Sequence, residues 1–83
     1  MNARLLATRV ALVADALAGA GVEPRGITVY SDGLVSVIVE ADDMQEVVDR
    51  LYLEPLPGSN VAQGTYAEVD VLVAALAARA VAS

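Results

Sequence analysis

The 83-residue chain has no cysteine, histidine, lysine, tryptophan or phenylalanine. Without cysteine there are no disulfides, thiolate metal ligands or cysteine nucleophiles, so a small scaffold held by bridges is excluded and the core must rest on packing. The absence of histidine removes both the commonest general base near neutral pH and the commonest zinc ligand, excluding Ser-His chemistry and zinc hydrolysis. Neither Schiff-base chemistry nor a phosphate-cradling P-loop lysine is possible without lysine. Asp, Glu, Arg, Tyr, Ser and Thr are the reactive vocabulary that remains.

Positive charge is also scarce. Eleven acidic residues against five arginines give a formal charge of −6, and phosphate backbones are held mainly by clustered basic groups. Nucleic-acid binding is therefore not expected, and Tyr30, Tyr52 and Tyr66 are the only aromatics that could stack on bases. An anionic membrane surface would repel the chain. Its longest charge-free apolar run, Val71 to Ala78, falls far short of the roughly 20 residues a bilayer requires. The first twenty residues imitate a signal peptide, with Ala18-Gly19-Ala20 resembling a cleavage site. Arg9 and Asp15 interrupt that stretch, and an amphipathic helix explains it. The expected location is cytoplasmic.

Apolar residues are abundant. Ala, Val, Ile, Leu, Met and Gly make up about 60% of the chain, above the roughly 45–50% of an ordinary soluble domain. The length fits a single α+β domain over residues 1–83, small enough that its stability is marginal. Although many of these residues are alanines, which bury little area, the excess points to apolar surface left for a partner.

From Ala3 to Ala20, Leu6, Val10, Val13 and Leu17 recur at helical spacing, with Leu5 and Leu12 widening the stripe. Gly19, Gly21 and then Pro24 form a stop signal. Two β-branched runs, Gly26 to Tyr30 and Leu34 to Glu40, flank Ser31-Asp32-Gly33 and read as a hairpin. A type I turn with Gly33 as the left-handed bulge residue sets Tyr30 opposite Leu34, Val29 opposite Val35 and Ile27 opposite Val37. Ile27, Val29, Val35, Val37 and Val39 then face the core, whereas a two-residue turn would mix the faces. Tyr30, Leu34 and Ile38 share the outer face, where a solvated sheet prefers charge. β-propensity alone could also have selected them.

Asp42 or Asp43 is expected to cap a second helix, with Gln45 or Glu46 completing a capping box. Met44, Val47, Val48 and Leu51 form its buried stripe, and Glu46 pairs with Arg50 at i, i+4. Tyr52 reads as a rim packer, Arg25 as a surface residue, and Glu54 to Asn60 as a loop rich in turn formers. The last twenty residues fit two templates. With period two, Thr65, Ala67, Val69, Val71 and Val73 oppose Tyr66, Glu68, Asp70 and Leu72, as in a half-buried strand. With period 3.6, Thr65 and Glu68 make a capping box, and Val69, Leu72, Val73 and Leu76 a stripe. Strands at Val61 to Tyr66 and Val69 to Leu76 are preferred, because they complete a sheet whose edges are otherwise open. Ala67-Glu68 is then the turn, with poor turn chemistry.

The expected fold is therefore α+β, an antiparallel four-stranded sheet with two helices on one face in the order α-β-β-α-β-β. The alternative is α-β-β-α-α with residues 66–82 helical. The first helix, Ile27 to Val39 around Ser31-Asp32-Gly33, and Gly64-Thr65-Tyr66 with Val69-Asp70-Val71-Leu72-Val73 resemble uncharacterised small α/β proteins of high-GC actinobacteria and their phages. The resemblance covers most of the chain but no specific motif, and implies topology and no activity. Those proteins place an Asp-Gly or similar turn before the last strand, where this chain has Ala67-Glu68.

Glu40, Asp42, Asp43, Glu46 and Asp49 set five carboxylates within ten residues. Acids in a first helical turn favour free amides and the helix dipole without any ligand. No Asp-x-Asp-x-Asp-Gly loop is present, so a basic protein partner is a better functional use than a metal. Glu68 and Asp70 on one strand face would suit paired carboxylate chemistry but read more simply as solvated. The functional expectation is a non-catalytic interaction protein without cofactor or metal, self-associating, most simply as a homodimer, or binding a larger protein. Tyr30, Leu34 and Ile38 would supply the contact and the residue 40–49 acids the selectivity. The rivals are a small-molecule-binding domain or minimal carboxylate enzyme, and an acidic DNA mimic.

Overall fold

A computed structural model describes residues 2–76. Helix α1 (Ala3–Gly19) is followed by β1 (Gly26–Val29), β2 (Val35–Val39), a 3₁₀ turn at Ala41–Asp43, α2 (Met44–Leu51), β3 (Glu54–Pro55), β4 (Val61–Tyr66) and β5 (Val69–Ala75). The strands form one five-stranded mixed sheet in the order β1-β2-β5-β4-β3.

Local chemistry sets the ends of α1. The Asn2 side chain accepts a hydrogen bond from the Leu5 amide (3.0 Å) and so satisfies one unpaired donor of the first turn. At the other end Gly21 takes φ +75°, Val22 donates to the Leu17 carbonyl and Gly21 to that of Ala18. These are the paired bonds of a Schellman cap, with buried Val22 and Leu17 supplying its apolar contact. Val13, Ala16 and Leu17 are buried, while Leu5 (52% exposed) and Leu12 face solvent instead of widening the stripe. Both lie roughly 80–100° around the helix from Val13, outside the arc that meets the sheet.

The hairpin has the bulged register. Gly33 takes φ +95° and donates to the Tyr30 carbonyl, and Tyr30 donates to that of Leu34. Ile27 stands opposite Val37 and Val29 opposite Val35. The Asp32 carboxylate also accepts from the Leu34 amide, so a side chain supports the turn.

Helix α2 departs from the expected capping. Neither Asp42 nor Asp43 makes a side-chain cap bond; the chain enters through the 3₁₀ turn, in which the Asp43 amide bonds the Glu40 carbonyl. Val47, Val48 and Leu51 are buried as expected. Arg50 does not pair with Glu46 but lies against Gly19, where its positive charge suits the carbonyl end of α1. Tyr52 ends α2 in the left-handed conformation (φ 56°) and is 84% exposed, so it does not pack at a rim.

The expected antiparallel four-stranded sheet is corrected in two respects. β5 lies parallel to β2, pairing Val35 with Val71 and Val37 with Val73, and antiparallel to β4. This inserts β5 between β2 and β4 and brings the two valine-rich strands to the centre, where the helices bury their shared face. The stretch between β2 and β5 carries α2, the kind of crossover that parallel neighbours require. Second, Glu54 and Pro55 of the expected loop form a fifth strand against Gln63 and Ala62. Pro55 is tolerated because β3 is an edge. Leu56 to Ser59 then turn with Pro57 and Gly58 (φ +75°) in the central positions, closed by the Ser59 amide on the Leu56 carbonyl.

Residues 66–76 are not helical, and the rest of the alternative helix, 77–82, lies outside the described residues. β4 and β5 join through Ala67 (φ 51°) and Glu68 (φ 68°), a two-residue hairpin turn with both central residues left-handed. This turn puts Tyr66 against the core and Thr65 on the outer face beside Asp70, reversing their expected sides.

The core joins Val13 and Leu17 of α1, Val47 and Leu51 of α2, and Val35, Val37, Val39, Val71 and Val73 of the sheet. Both helices therefore cover one face. At Gly64 an added Cβ would stand 3.1 Å from buried Leu53. Gly64→Val is expected to destabilise the fold by about 1–3 kcal/mol through overpacking. A left-handed non-glycine residue costs about 1–2 kcal/mol, so Ala67→Asn with Glu68→Gly should stabilise by about that amount. Urea unfolding would show opposite midpoint shifts for these two changes at unaltered slope.

Candidate functional site: the outer face of the sheet

Pleating sends alternate residues of each strand away from the helices. On β2, Val35, Val37 and Val39 are fully buried, while Ser36 is half-buried and Ile38 is 41% exposed. On β5, Val69, Val71 and Val73 are buried and Asp70, Leu72 and Ala74 turn outward. The registers assemble these residues into cross-strand rows. One row runs Gly26, Ile38, Ala74, Val61; the next runs Thr28, Ser36, Leu72, Gln63, Glu54. Beyond them lie Tyr30 (50% exposed) and Leu34 from the hairpin, with Asp70 and Thr65 paired on β5 and β4.

Among the described residues the face thus carries apolar groups that include Leu34, Ile38, Val61, Leu72, Ala74 and Leu76, interleaved with hydroxyls and an amide. Asp70 and Glu54 are its only carboxylates within the strands, and the Thr65 hydroxyl donates to Asp70 (3.2 Å). A shallow groove of about 390 Å³ opens here, lined by Leu34, Gln63, Gly64, Thr65, Asp70, Val71 and Leu72. At the opposite end Ile38 is bordered by the exposed ion pair of Arg25 and Glu40 (3.1 Å). Arg25 also donates its amide to the Ile38 carbonyl (2.7 Å), so the pair stands at the open end of the hairpin, where β1 begins and β2 ends.

The structure brings Tyr30, Leu34 and Ile38 onto one face with Glu40 at its border. It does not bring the rest of the acidic run to them. Asp42 and Asp43 sit on the 3₁₀ turn, and Glu46 and Asp49 ride on the exposed side of α2, in the layer behind the sheet. Asp49 accepts from Gln45 (3.0 Å), and among the described residues no three acidic side chains converge on a metal-sized site. Glu68 stands in the hairpin turn, so it shares no strand face with Asp70. Arg9 of α1 donates to the Glu68 carbonyl (3.4 Å), which ties that turn to the helix layer.

Val61, Gln63, Leu72 and Ala74 complete the surface and were not among the expected contact residues. The signal for Leu72 was its alternation with Val71 and Val73. That it lies beside Ser36 depends on the parallel pairing, which no adjacent turn encodes.

The opposed sides of β2 give a direct test. Ile38→Asp should leave the fold intact at a cost within about 1 kcal/mol, since it alters an outward position. Val37→Asp places an unpaired charge in the core and should abolish folding. Circular dichroism and urea titration of the two variants would separate these outcomes. No protein-family model, curated protein or solved structure matches the chain.

Proposed function

We propose that this chain is a non-catalytic interaction protein that uses the outer face of its sheet to bind another protein. One observation carries the reading: among the described residues both helices lie on one side, leaving a continuous face on which Ile38 and Tyr30 are exposed and Leu34 and Leu72 half-buried. An antiparallel or mixed sheet that faces water is ordinarily polar on that side. Here apolar groups occupy the middle and charge is confined to the border, the arrangement of an interface core with a polar rim. Such a surface favours a broad, flat partner over a small molecule, because its groove is shallow and open.

Of the acidic run, Glu40 borders the contact face and is partly neutralised by Arg25. The α2 carboxylates would act only at long range, on the rate of approach of a basic partner. Catalysis has little support among these groups, since Asp70 is hydrogen-bonded to a hydroxyl and Glu68 does not share its strand face.

Photo-crosslinking tests the reading. Replacing Ile38 with p-benzoylphenylalanine should yield protein adducts, in the pure chain or in an extract of the cells that make it, several-fold above the same replacement at exposed Thr8 on α1. Equal yields at the two positions, or no protein adduct at position 38, would remove the basis for it.

A further inference from the structure

We infer that the partner on the outer face is a second copy of this chain, packed sheet against sheet about a two-fold axis. The inference rests on the reading that this face binds protein and adds the identity of the occupant.

Charge is the first argument. Each copy carries a formal −6, so self-association is possible only where like charges are kept apart. The sheet face meets that condition. Its centre, built from Ser36, Ile38, Leu72 and Ala74, has no charge, Asp70 is hydrogen-bonded by Thr65, and the α2 carboxylates are screened behind the sheet. Among the described residues a basic partner would meet only Asp70 and Glu54 on the face and Glu40, already paired with Arg25, at its border, while the α2 carboxylates lie behind the sheet.

Polarity is the second. The groups between the apolar side chains are Thr28, Ser36 and Gln63, and each carries both a donor and an acceptor. In an isologous contact a residue can meet its own copy or a like group. Hydroxyls and amides satisfy one another in that setting, whereas a patch of donors alone or acceptors alone would not.

Area sets the expected strength. Strands about 4.8 Å apart and rising about 3.3 Å per residue give the five strands, with 24 residues between them, a footprint of roughly 380 Å² per copy. A pair would cover about 760 Å², below the roughly 1,200 Å² at which stable interfaces begin, which sets the expectation of a weak, reversible dimer. Apolar sheet packing of this kind is strengthened by salt that screens the repulsion between two acidic copies. Binding of a basic partner through acidic residues is weakened by the same salt.

Sedimentation velocity of the full chain from about 1 to about 200 µM tests the proposal. The expected result is a monomer–dimer equilibrium with a micromolar dissociation constant that tightens between about 50 and about 500 mM NaCl. Ile38→Asp and Leu72→Asp should each weaken it at least about tenfold while circular dichroism shows a retained fold. Leu12→Asp, on the exposed side of α1, should leave it unchanged. If the substitutions at 38 and 72 unfold the chain, Thr28→Arg provides the same test from the edge of the face. A wild-type monomer at the highest concentration and salt overturns the inference, as does a dimer lost on Leu12→Asp or indifferent to the face variants. A monomer that still crosslinks at position 38 to a different protein would overturn the second copy as occupant and leave the binding face standing.

Discussion

The structure depends on one burial event, the packing of the β2 and β5 valines side by side beneath both helices. Val35, Val37, Val71 and Val73 sit at 0–1% exposure, in register across a parallel pair. Each would be worth little alone. Packed together against Val13, Leu17, Val47 and Leu51, they make a contiguous core in a chain with no cysteine and no fully buried aromatic residue. Their alternation also determines which side of every neighbouring strand faces in, because a sheet has one face per parity.

This arrangement has a consequence for the surface. Two helices of 17 and 8 residues are enough to cover one side of a five-stranded sheet. Among the described residues no helix lies on the other side, so their apolar side chains are divided between a closed inner layer and a more open outer one. The short edges are handled differently. β3 is only two residues long and carries a proline, whereas β1 has four residues and offers only a short ladder. The proposed contact therefore falls on the face and not on an edge.

Much of this was legible from the chain. The hairpin register followed from Ser31-Asp32-Gly33 and the alternation around it, and the cap of α1 from Gly21. Strands over 61–66 and 69–76 were preferred to a helix because they complete a sheet with open edges, even though Ala67-Glu68 argues against a turn; the structure has them at 61–66 and 69–75. Other features were not legible. The capping box at Asp42 and Asp43 looked favourable, yet the chain enters α2 through a 3₁₀ turn and those carboxylates stay in solvent. Glu54 and Pro55 read as loop because proline and turn formers dominate there, and only the presence of β4 alongside gave them ladder partners. For the candidate site, Tyr30, Leu34 and Ile38 were placed on the correct face. Leu72, Ala74 and Val61 joined them only through pairings between distant segments.

The amino-acid order by itself determined the hairpin turn at Gly33, the end of α1, the parity of β1, β2 and β5 and the excess of apolar residues. These properties depend on residues within a few positions of one another and on composition. The tertiary structure alone decided that β5 inserts beside β2, that the sheet is mixed, and that the acidic residues of α2 stand behind the face they seemed to adjoin. Those outcomes depend on which arrangement buries the most valine under two helices, a comparison among whole-chain packings that no local stretch contains.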